Sequence, residues 1–143
     1  MKPTLIIDCS LTMALCFADE FTAAVGEVQD RMASEAALVP AHWSLEVANV
    51  LAMAEKRKRI SNSDAAHFVR LLAGLDIQID EESPSRVFDH VLPLCRSQSL
   101  TSYDAAYLDL ALRTQLPLAT LDNDLRRAAT GLGVLLLGKK EAL

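Results

Sequence analysis

Short apolar runs alternate with longer amphipathic segments along this chain, and this alternation constrains its fold more than any other feature. Five runs have the residue types and lengths of β-strands: 4–7, 37–39, 76–80, 116–120 and 134–137. Segments with helical spacing lie between them, the clearest at 41–59, where Trp43, Val47 and Leu51 share one apolar side. The alternation predicts an α/β fold in which helices cover both faces of a mainly parallel sheet of about four to five strands.

The length and composition of the chain fit one globular domain. Its 143 residues can bury a substantial core, and 51% hydrophobic with 23% charged residues is an ordinary globular balance. We therefore expect a single domain over 1–143. No apolar run is long enough for an export signal or a membrane span, so we expect a cytoplasmic location without membrane association.

The net charge of −5 argues against a protein that coats nucleic acid through a general positive field. It does not exclude a nuclease, because such an enzyme concentrates acids in its site, where bound cations reverse the local sign.

Cysteine and histidine are not predicted to carry the chemistry. The cysteines lack the paired spacing of a zinc or redox motif, and we expect them to be small buried hydrophobes. The histidines form no ligand pattern, and we include none of them in the candidate site. These residues are Cys9, Cys16, Cys95, His42, His67 and His90.

Four acidic residues define a candidate site. Asp8 and Asp122 follow predicted strands, whereas Glu46 and Asp104 lie in the first turns of predicted helices. Ligands of parallel sheets bind at the carboxyl ends of the strands, so an α/β fold can bring these four side chains to one edge.

Such a cluster of carboxylates favours a divalent cation. At about 6 Å and an effective dielectric near 20, each pair repels by roughly 3 kcal/mol, which protonation or a metal must relieve. Hard oxygen ligands without matching His or Cys indicate Mg²⁺, or Mn²⁺, rather than zinc. A site of this kind serves phosphate chemistry.

Four stretches carry a family resemblance and span nearly the whole chain. They are LIIDCS at 5–10, PAHWSLEVANVL at 40–51, LTSYDAAYL at 100–108 and LATLDNDL at 118–125. In this order they resemble the PIN-domain ribonucleases, in particular the VapC type of bacterial toxin. The resemblance implies a PIN-like three-layer α/β/α sandwich in which all four acids of the quartet bind Mg²⁺ or Mn²⁺.

The same resemblance implies a function and partners. It implies a metal-dependent endoribonuclease that hydrolyses RNA phosphodiester bonds as the toxin of a type II toxin–antitoxin pair. It further implies a homodimer and inhibition by a cognate VapB-type antitoxin, which would bind through apolar grooves between early helices.

Four further polar residues are candidates for supporting roles. Ser10 and Thr120 are placed to hold carboxylates or phosphate. Asn49 would project beside Glu46 on the same helix face. Asp124 has two interpretations, an accessory ligand or a helix cap, since Asp favours the first turn of any helix.

Charged and aromatic residues near the quartet leave alternatives open. The basic run 56–59 either closes a helix facing water or contacts RNA phosphates, and Arg126 with Arg127 forms a second candidate rim. Asp109 is predicted to be a solvated helix residue. For Tyr103 and Tyr107, on either side of Asp104, packing is favoured over base stacking.

Rival functions fit less well. A haloacid-dehalogenase-like phosphatase needs a second Asp where Ser10 stands, and a receiver domain needs an acceptor Asp and a late Lys that 77–80 and Lys139 match poorly. Two alternatives remain: a non-catalytic PIN-like binding module, whose acids hold a structural cation or a basic peptide, and a PIN nuclease outside any toxin–antitoxin system.

Overall fold

A five-stranded parallel sheet forms the centre of the computed structural model, which describes residues 1–139. The strands lie side by side in the order β3-β2-β1-β4-β5, and every neighbouring pair is parallel. Their bounds are β1 (Pro3–Ile7), β2 (Ala36–Pro40), β3 (Ile77–Asp80), β4 (Leu118–Ala119) and β5 (Leu136–Leu137). The predicted α/β class and parallel sheet are confirmed.

Helices form the outer layers of this α/β/α sandwich. They are α1 (Cys9–Cys16), α2 (Ala23–Met32), α3 (Trp43–Lys56), α4 (Asn62–Ala73), α5 (Pro84–Arg86), α6 (Leu92–Gln98), α7 (Ser102–Thr114) and α8 (Asn123–Gly131), with a 3₁₀ turn at Ala18–Glu20. Helix α1 packs with α2 and α3, whereas α7 packs with α6, α8 and three strands. Within residues 1–139 no helix combines the length and apolar character that a bilayer crossing requires.

The strand β1 lies at the centre of the core. Leu5, Ile6 and Ile7 are fully buried, since strands flank β1 on both sides and helices cover both faces. A continuous apolar run is typical of such a strand. Helix α7 contributes Tyr107 and Leu108 to the same core.

Two predicted strands are shorter in the structure. The segments 116–120 and 134–137 form two-residue strands, β4 and β5. Pro117 has no N–H to donate into the ladder, and Gly133 adopts a positive φ of 78°, a turn conformation, just before β5.

The helical segment between β3 and α7 is interrupted. A π-helical turn at Val87–Val91 separates α5 from α6, and the Leu92 N–H donates to the Val87 carbonyl across five residues. Pro93, in the first turn of α6, cannot donate an N–H to the preceding turn, which explains why the regular ladder breaks here.

The strand order reverses beside β1, and this reversal positions the site. The chain builds β1, β2 and β3 in one direction and then returns to place β4 on the other side of β1. Ile7 pairs with Ala119, and the Asp8 N–H donates to the Ala119 carbonyl at 3.1 Å. Asp8 and Thr120 therefore emerge side by side at the carboxyl edge, where ligands of such sheets bind.

Candidate functional site

Asp8 is the most buried acid of the site, with 3% of its surface exposed. It caps α1: its Oδ1 accepts from the Leu11 N–H at 2.9 Å and from the Ser10 hydroxyl at 2.7 Å. The Thr120 hydroxyl donates to its Oδ2 at 2.5 Å. Burial nevertheless raises the pKa of Asp8 to about 6, with a smaller contribution from Asp122, so the ionised form is costly without further compensation.

Thr120 connects Asp8 to Asp122. Its hydroxyl donates to Asp8 and accepts from the Asp122 N–H at 3.0 Å. Asp122 caps α8 through an Oδ1 contact with the Leu125 N–H at 2.9 Å. Ser10 adds a second link, because its hydroxyl accepts from the Leu121 N–H at 2.9 Å. The supporting placement predicted for Ser10 and Thr120 thus corresponds to bonds that join the ends of β1 and β4.

Glu46 reaches the site from the first turn of α3. The Tyr107 hydroxyl donates to its Oε1 at 2.6 Å, and His42 Nε2 lies 3.3 Å from the same oxygen. His42 Nε2 also lies 3.1 Å from the carbonyl oxygen of Tyr103. Both neighbours are acceptors, so Nε2 is the nitrogen that carries the proton.

Asp104 lies in the electrostatic field of the other three acids of the quartet. Its pKa is raised to about 6. Burial makes the largest contribution, and the negative charges of four acids make smaller ones: Asp122, Asp8, Glu46 and Asp124. Among residues 1–139 no hydrogen bond holds the Asp104 carboxylate, although its backbone N–H donates to the Thr101 hydroxyl that caps α7. The predicted convergence of the four acids at one sheet edge therefore agrees with the electrostatics of this side chain.

Four helix N-termini face this edge. The helices α1 and α8 begin after Asp8 and Asp122, and Glu46 and Asp104 lie in the first turns of α3 and α7. A helix N-terminus carries a partial positive charge and favours anions. These dipoles partly offset the repulsion among the carboxylates, and they also favour a phosphate group.

The two remaining polar candidates contribute less. Asp122, rather than Asp124, caps α8; Asp124 is exposed in the first turn and adds to the field at Asp104. Asn49 is exposed on α3 and makes no side-chain hydrogen bond to any residue in 1–139. The cap interpretation of Asp124 is wrong, and nothing in the described contacts ties Asn49 to the acids.

The donor set fits a hard divalent cation by its chemistry. In the described part of the chain, no three His, Cys, Asp or Glu side chains stand close enough to enclose an ion as they are. Mg²⁺ does not need such a cage, since it keeps several waters and binds through one or two carboxylates. Asp104, with its raised pKa and no hydrogen bond within 1–139, suits that role best.

Cys9 is not a competing soft ligand. Burial, then Glu46 and Asp8, raise the pKa of its thiol to about 12, so the thiol remains protonated at neutral pH. Since the thiolate is the metal-binding form, Cys9 does not compete for the ion; it is half-buried, as are Cys16 and Cys95, rather than fully buried as predicted.

The arginines near the site are occupied by the fold. Arg126, predicted as a rim residue, donates to the Thr120 carbonyl at 2.7 Å and to the Leu137 carbonyl at 3.1 Å, joining the ends of β4 and β5. Arg127 donates to the Gln98 carbonyl at 3.2 Å. These bonds favour structural roles over phosphate contacts.

The basic run 56–59 does not form one uniform surface. Arg59 donates to Asp19 and Glu20 at 2.8 Å each and lies 3.9 Å above the ring of Phe17. Lys58 has a positive φ of 60°, which ends the helix. Of the four basic residues, Arg59 is therefore tied to an acidic pair and a ring.

Sequence reasoning missed two contacts of Glu46 and misplaced one acid. His42 is not among the predicted site residues, yet it contacts Glu46. The available signal is the i,i+4 spacing of these two residues at the start of α3. Tyr107 packs as predicted and also holds Glu46. Asp109 is not solvated, because it is 4% exposed and accepts two bonds from Arg86.

Solved structures with this fold come from several organisms. The protein PAE2754 of Pyrobaculum aerophilum has a TM-score of 0.71 at 22% identity, covering 94% of this chain and 83% of that one. VapC20 of Mycobacterium tuberculosis, described as a sarcin-ricin loop cleaving toxin, has a TM-score of 0.63 at 16% identity, covering 87% and 95%. A toxin–antitoxin complex from Klebsiella pneumoniae gives 0.61 at 16%, covering 92% and 96%. At these identities the likeness concerns the fold.

The sequence itself identifies the family. No curated protein sequence matches the chain. The PIN domain model, in contrast, matches residues 5–131, from the first strand to the end of α8. The chain therefore belongs to the PIN domain family.

Proposed function

We propose that this protein is an Mg²⁺- or Mn²⁺-dependent endoribonuclease that hydrolyses RNA phosphodiester bonds. One observation supports this most: burial and the charges of Asp122, Asp8, Glu46 and Asp124 all raise the pKa of Asp104. These acids lie where the strand order reverses beside β1, which is where ligands of parallel sheets bind. Carboxylates that repel one another there favour a bound cation, and a bound cation can in turn hold a phosphate group.

The chain's own residues prepare the site for this chemistry. When bound, a divalent ion supplies a polarised water and neutralises charge on the phosphate oxygens. Ser10 and Thr120 fix the orientation of Asp8. Tyr107 and His42 hold Glu46, which we propose completes the ligand set through water or orients the nucleophile. Asp104 and Asp122 present the carboxylates with the most free acceptor capacity.

A cleavage assay with purified protein tests the proposal. Single-stranded and structured RNA should be cut in Mn²⁺ or Mg²⁺, not in excess chelator, and not by the Asp104→Asn variant. The same ions should raise the melting temperature of the wild type, because they bind the folded state. Ion-dependent stabilisation without cleavage would instead identify a PIN-like binding module, and equal cleavage by the variant would locate the activity elsewhere.

We propose further that the enzyme is the toxin of a toxin–antitoxin pair. The support is the resemblance to VapC-type toxins together with two structures of the same fold, described as a toxin and as a toxin–antitoxin complex. Induced expression should arrest growth with the wild type and not with Asp104→Asn, and a VapB-type antitoxin encoded beside the gene should restore growth. A PIN nuclease outside such a system would cut RNA but gain no inhibitor from its neighbouring gene.

An apolar groove supports a protein partner. It has a volume of about 380 Å³ and lies between α3, α4 and the edge strand β3, with Trp43, Leu51, Leu72 and Ile79 among its lining residues. We propose that a VapB-type antitoxin binds to an apolar surface of this kind, and that a second copy of the chain does so in a homodimer. We propose the cytoplasm as the location of both complexes. Light scattering of the isolated protein should give the mass of a homodimer, and a monomer would contradict that part of the proposal.

A further inference from the structure

Tyr103 is an exposed aromatic side chain at the edge of the acidic site. It precedes Asp104 on α7 and is 59% exposed, whereas Tyr107, one turn later, is buried in the core. The packing role that the sequence favoured for both tyrosines therefore fits Tyr107 and not Tyr103. An exposed ring without a packing role beside a candidate active site requires another explanation.

The ring of Tyr103 is held against a second aromatic ring. Its centroid lies 5.5 Å from that of His42, with the planes tilted by 56°. His42 lies in turn edge-on to the buried Tyr107 ring, at 5.2 Å, and its Nε2 contacts the Tyr103 carbonyl. The pair is thus supported from the core, so a group that stacks on Tyr103 need not first order the ring.

His42 also connects this pair to the site. The same Nε2 atom that contacts the Tyr103 carbonyl lies 3.3 Å from Glu46 Oε1. Among the Phe, Tyr and Trp side chains within residues 1–139, Phe21 and Phe88 are the other well-exposed ones, and neither adjoins an acid of the quartet in sequence. Position and exposure together single out Tyr103.

We propose that Tyr103, backed by His42, is a stacking platform for one unpaired nucleobase of the RNA beside the scissile phosphate. This inference rests on the proposed ribonuclease function. A base that stacks on an aromatic side chain gains affinity whatever its identity, because every base has a π-face. The platform therefore selects unpaired over paired nucleotides and sets which phosphate reaches the acids, while the carboxylates repel the RNA backbone elsewhere.

Binding of RNA in an inactive background tests the platform without requiring cleavage. The probe is a short, fluorescein-labelled, single-stranded RNA of mixed sequence, titrated with Asp104→Asn protein in Mg²⁺. Adding Tyr103→Phe should change affinity by less than about twofold, whereas Tyr103→Ala or Tyr103→Leu should weaken it by roughly 5-fold to 150-fold. Phe88→Ala, which removes another exposed ring, should have no effect.

Abasic substitutions in the same RNA locate the stacked base. Removing one base while keeping its phosphate should weaken binding at a single position, and that loss should vanish in the Tyr103→Ala protein. The fold should tolerate this variant, because His42 contacts the backbone carbonyl of residue 103 rather than its ring hydroxyl. Equal affinity of the tyrosine and alanine proteins, or an abasic loss that persists in the alanine protein, would overturn the platform.

Cleavage kinetics separate this proposal from the nuclease proposal. In the otherwise wild-type protein, Tyr103→Ala should lower kcat/KM by the same factor as it lowers affinity, and Tyr103→Phe should restore it. If no protein cuts RNA but the binding difference holds, the nuclease proposal fails and the platform stands. If Tyr103→Ala alters only antitoxin binding, Tyr103 is a protein contact and the platform is overturned.

Discussion

Two groups of carboxylates, one around Asp8 and Asp104 and one around Asp109, each contain a deeply buried member but are balanced in different ways. Asp8 and Asp109 are 3% and 4% exposed. Asp109 accepts two bonds from Arg86, at 2.9 and 3.1 Å, and Arg113 makes a similar pair with Asp80 at the end of β3. Asp8 has only hydroxyl and amide donors, and its pKa rises to about 6.

This difference is what we expect between an acid that serves the fold and one that serves the proposed site. The group around Asp109 has arginines on α5 and α7, whereas the largest contributions that raise the pKa of Asp104 after burial come from four other acids. A buried carboxylate without a cation is a cost in stability that a structural role does not explain. The acids around Asp104 therefore act mainly on one another, whereas Asp109 has its counterion within the fold.

The largest expected effect is the loss of catalysis when the unpaired acids are neutralised. Asp8→Asn or Asp104→Asn should lower kcat/KM on RNA by about 1,000-fold, because each removes a charge that holds the cation or the nucleophile. Glu82→Gln, near the arginine-paired group, should leave cleavage unchanged. The measurement is the cleavage rate of each variant at saturating Mn²⁺. If Glu82→Gln lowers the rate as much as Asp8→Asn and Asp104→Asn do, the two groups of carboxylates do not differ in function.

The next largest effect is on stability and belongs to the paired group. Asp109→Ala should lower the free energy of unfolding by about 3 kcal/mol, since it leaves Arg86 partly buried without its partner. Urea unfolding measures the change. Combining Arg86→Ala with Asp109→Ala should cost less than the sum of the single changes; strict additivity would show that the pair is not coupled.

The unpaired group should make stability fall as pH rises. The pKa of Asp8 and of Asp104 is about 6 in the folded state, against 3.8 for an unperturbed aspartate, so the native state binds more protons than the unfolded state between these values. In chelator, Asp8, the more buried of the two, should by itself lower the free energy of unfolding by about 2 kcal/mol between pH 4.5 and 7.5, and the half-buried Asp104 should add a smaller decrease.

Substitution of the buried acid checks the source of this slope. Asp8→Asn should flatten the pH profile and raise stability at pH 7.5, because the amide replaces a costly buried charge. Asp109→Asn, in the paired group, should lower stability instead. If the free energy of unfolding still falls with pH as steeply in Asp8→Asn, other groups cause the pH dependence.

The smallest effect concerns the orientation of Glu46. Tyr107→Phe removes the hydroxyl that donates to Glu46 and keeps the ring in the core, so kcat/KM should fall by about fivefold to tenfold with little change in melting temperature. Thr114→Val, which removes a hydroxyl bonded to the Leu110 carbonyl on the same helix, serves as the matched control. Equal effects on cleavage would show that the Tyr107 hydroxyl has no positioning role.

Sequence reasoning succeeded where a feature depends on neighbours along the chain. The apolar run before Asp8 predicted the central strand, and the position of Asp122 after a short run predicted a second strand end. Such features follow from local residue types and from the rule that parallel strands share an edge. The proximity of Asp8 and Asp122 follows from these two facts, whereas the convergence of all four acids stays a prediction.

Most of the failures concern contacts made across long distances in sequence; the contact of His42 with Glu46, at i,i+4 spacing, is the exception. Glu46 and Tyr107 are 61 residues apart, and Arg86 and Asp109 are 23 apart, so no local pattern indicates that either pair meets. Arg126 lies close to Asp122 in sequence, which suggested a rim residue. Its bonds to the ends of β4 and β5 form only when these strands lie side by side, so no local pattern indicates them. Electrostatic roles depend on the partner, and the partner is a property of the tertiary fold.

The insertion of β4 beside β1 has a consequence for protein synthesis. Asp8 is synthesised more than a hundred residues before Thr120 and Asp122, which complete its surroundings. A nascent chain that stops short of them has an open edge on β1 and only part of the acidic set. The activity we propose should therefore begin only after residues 118–122 have been synthesised and have folded beside β1.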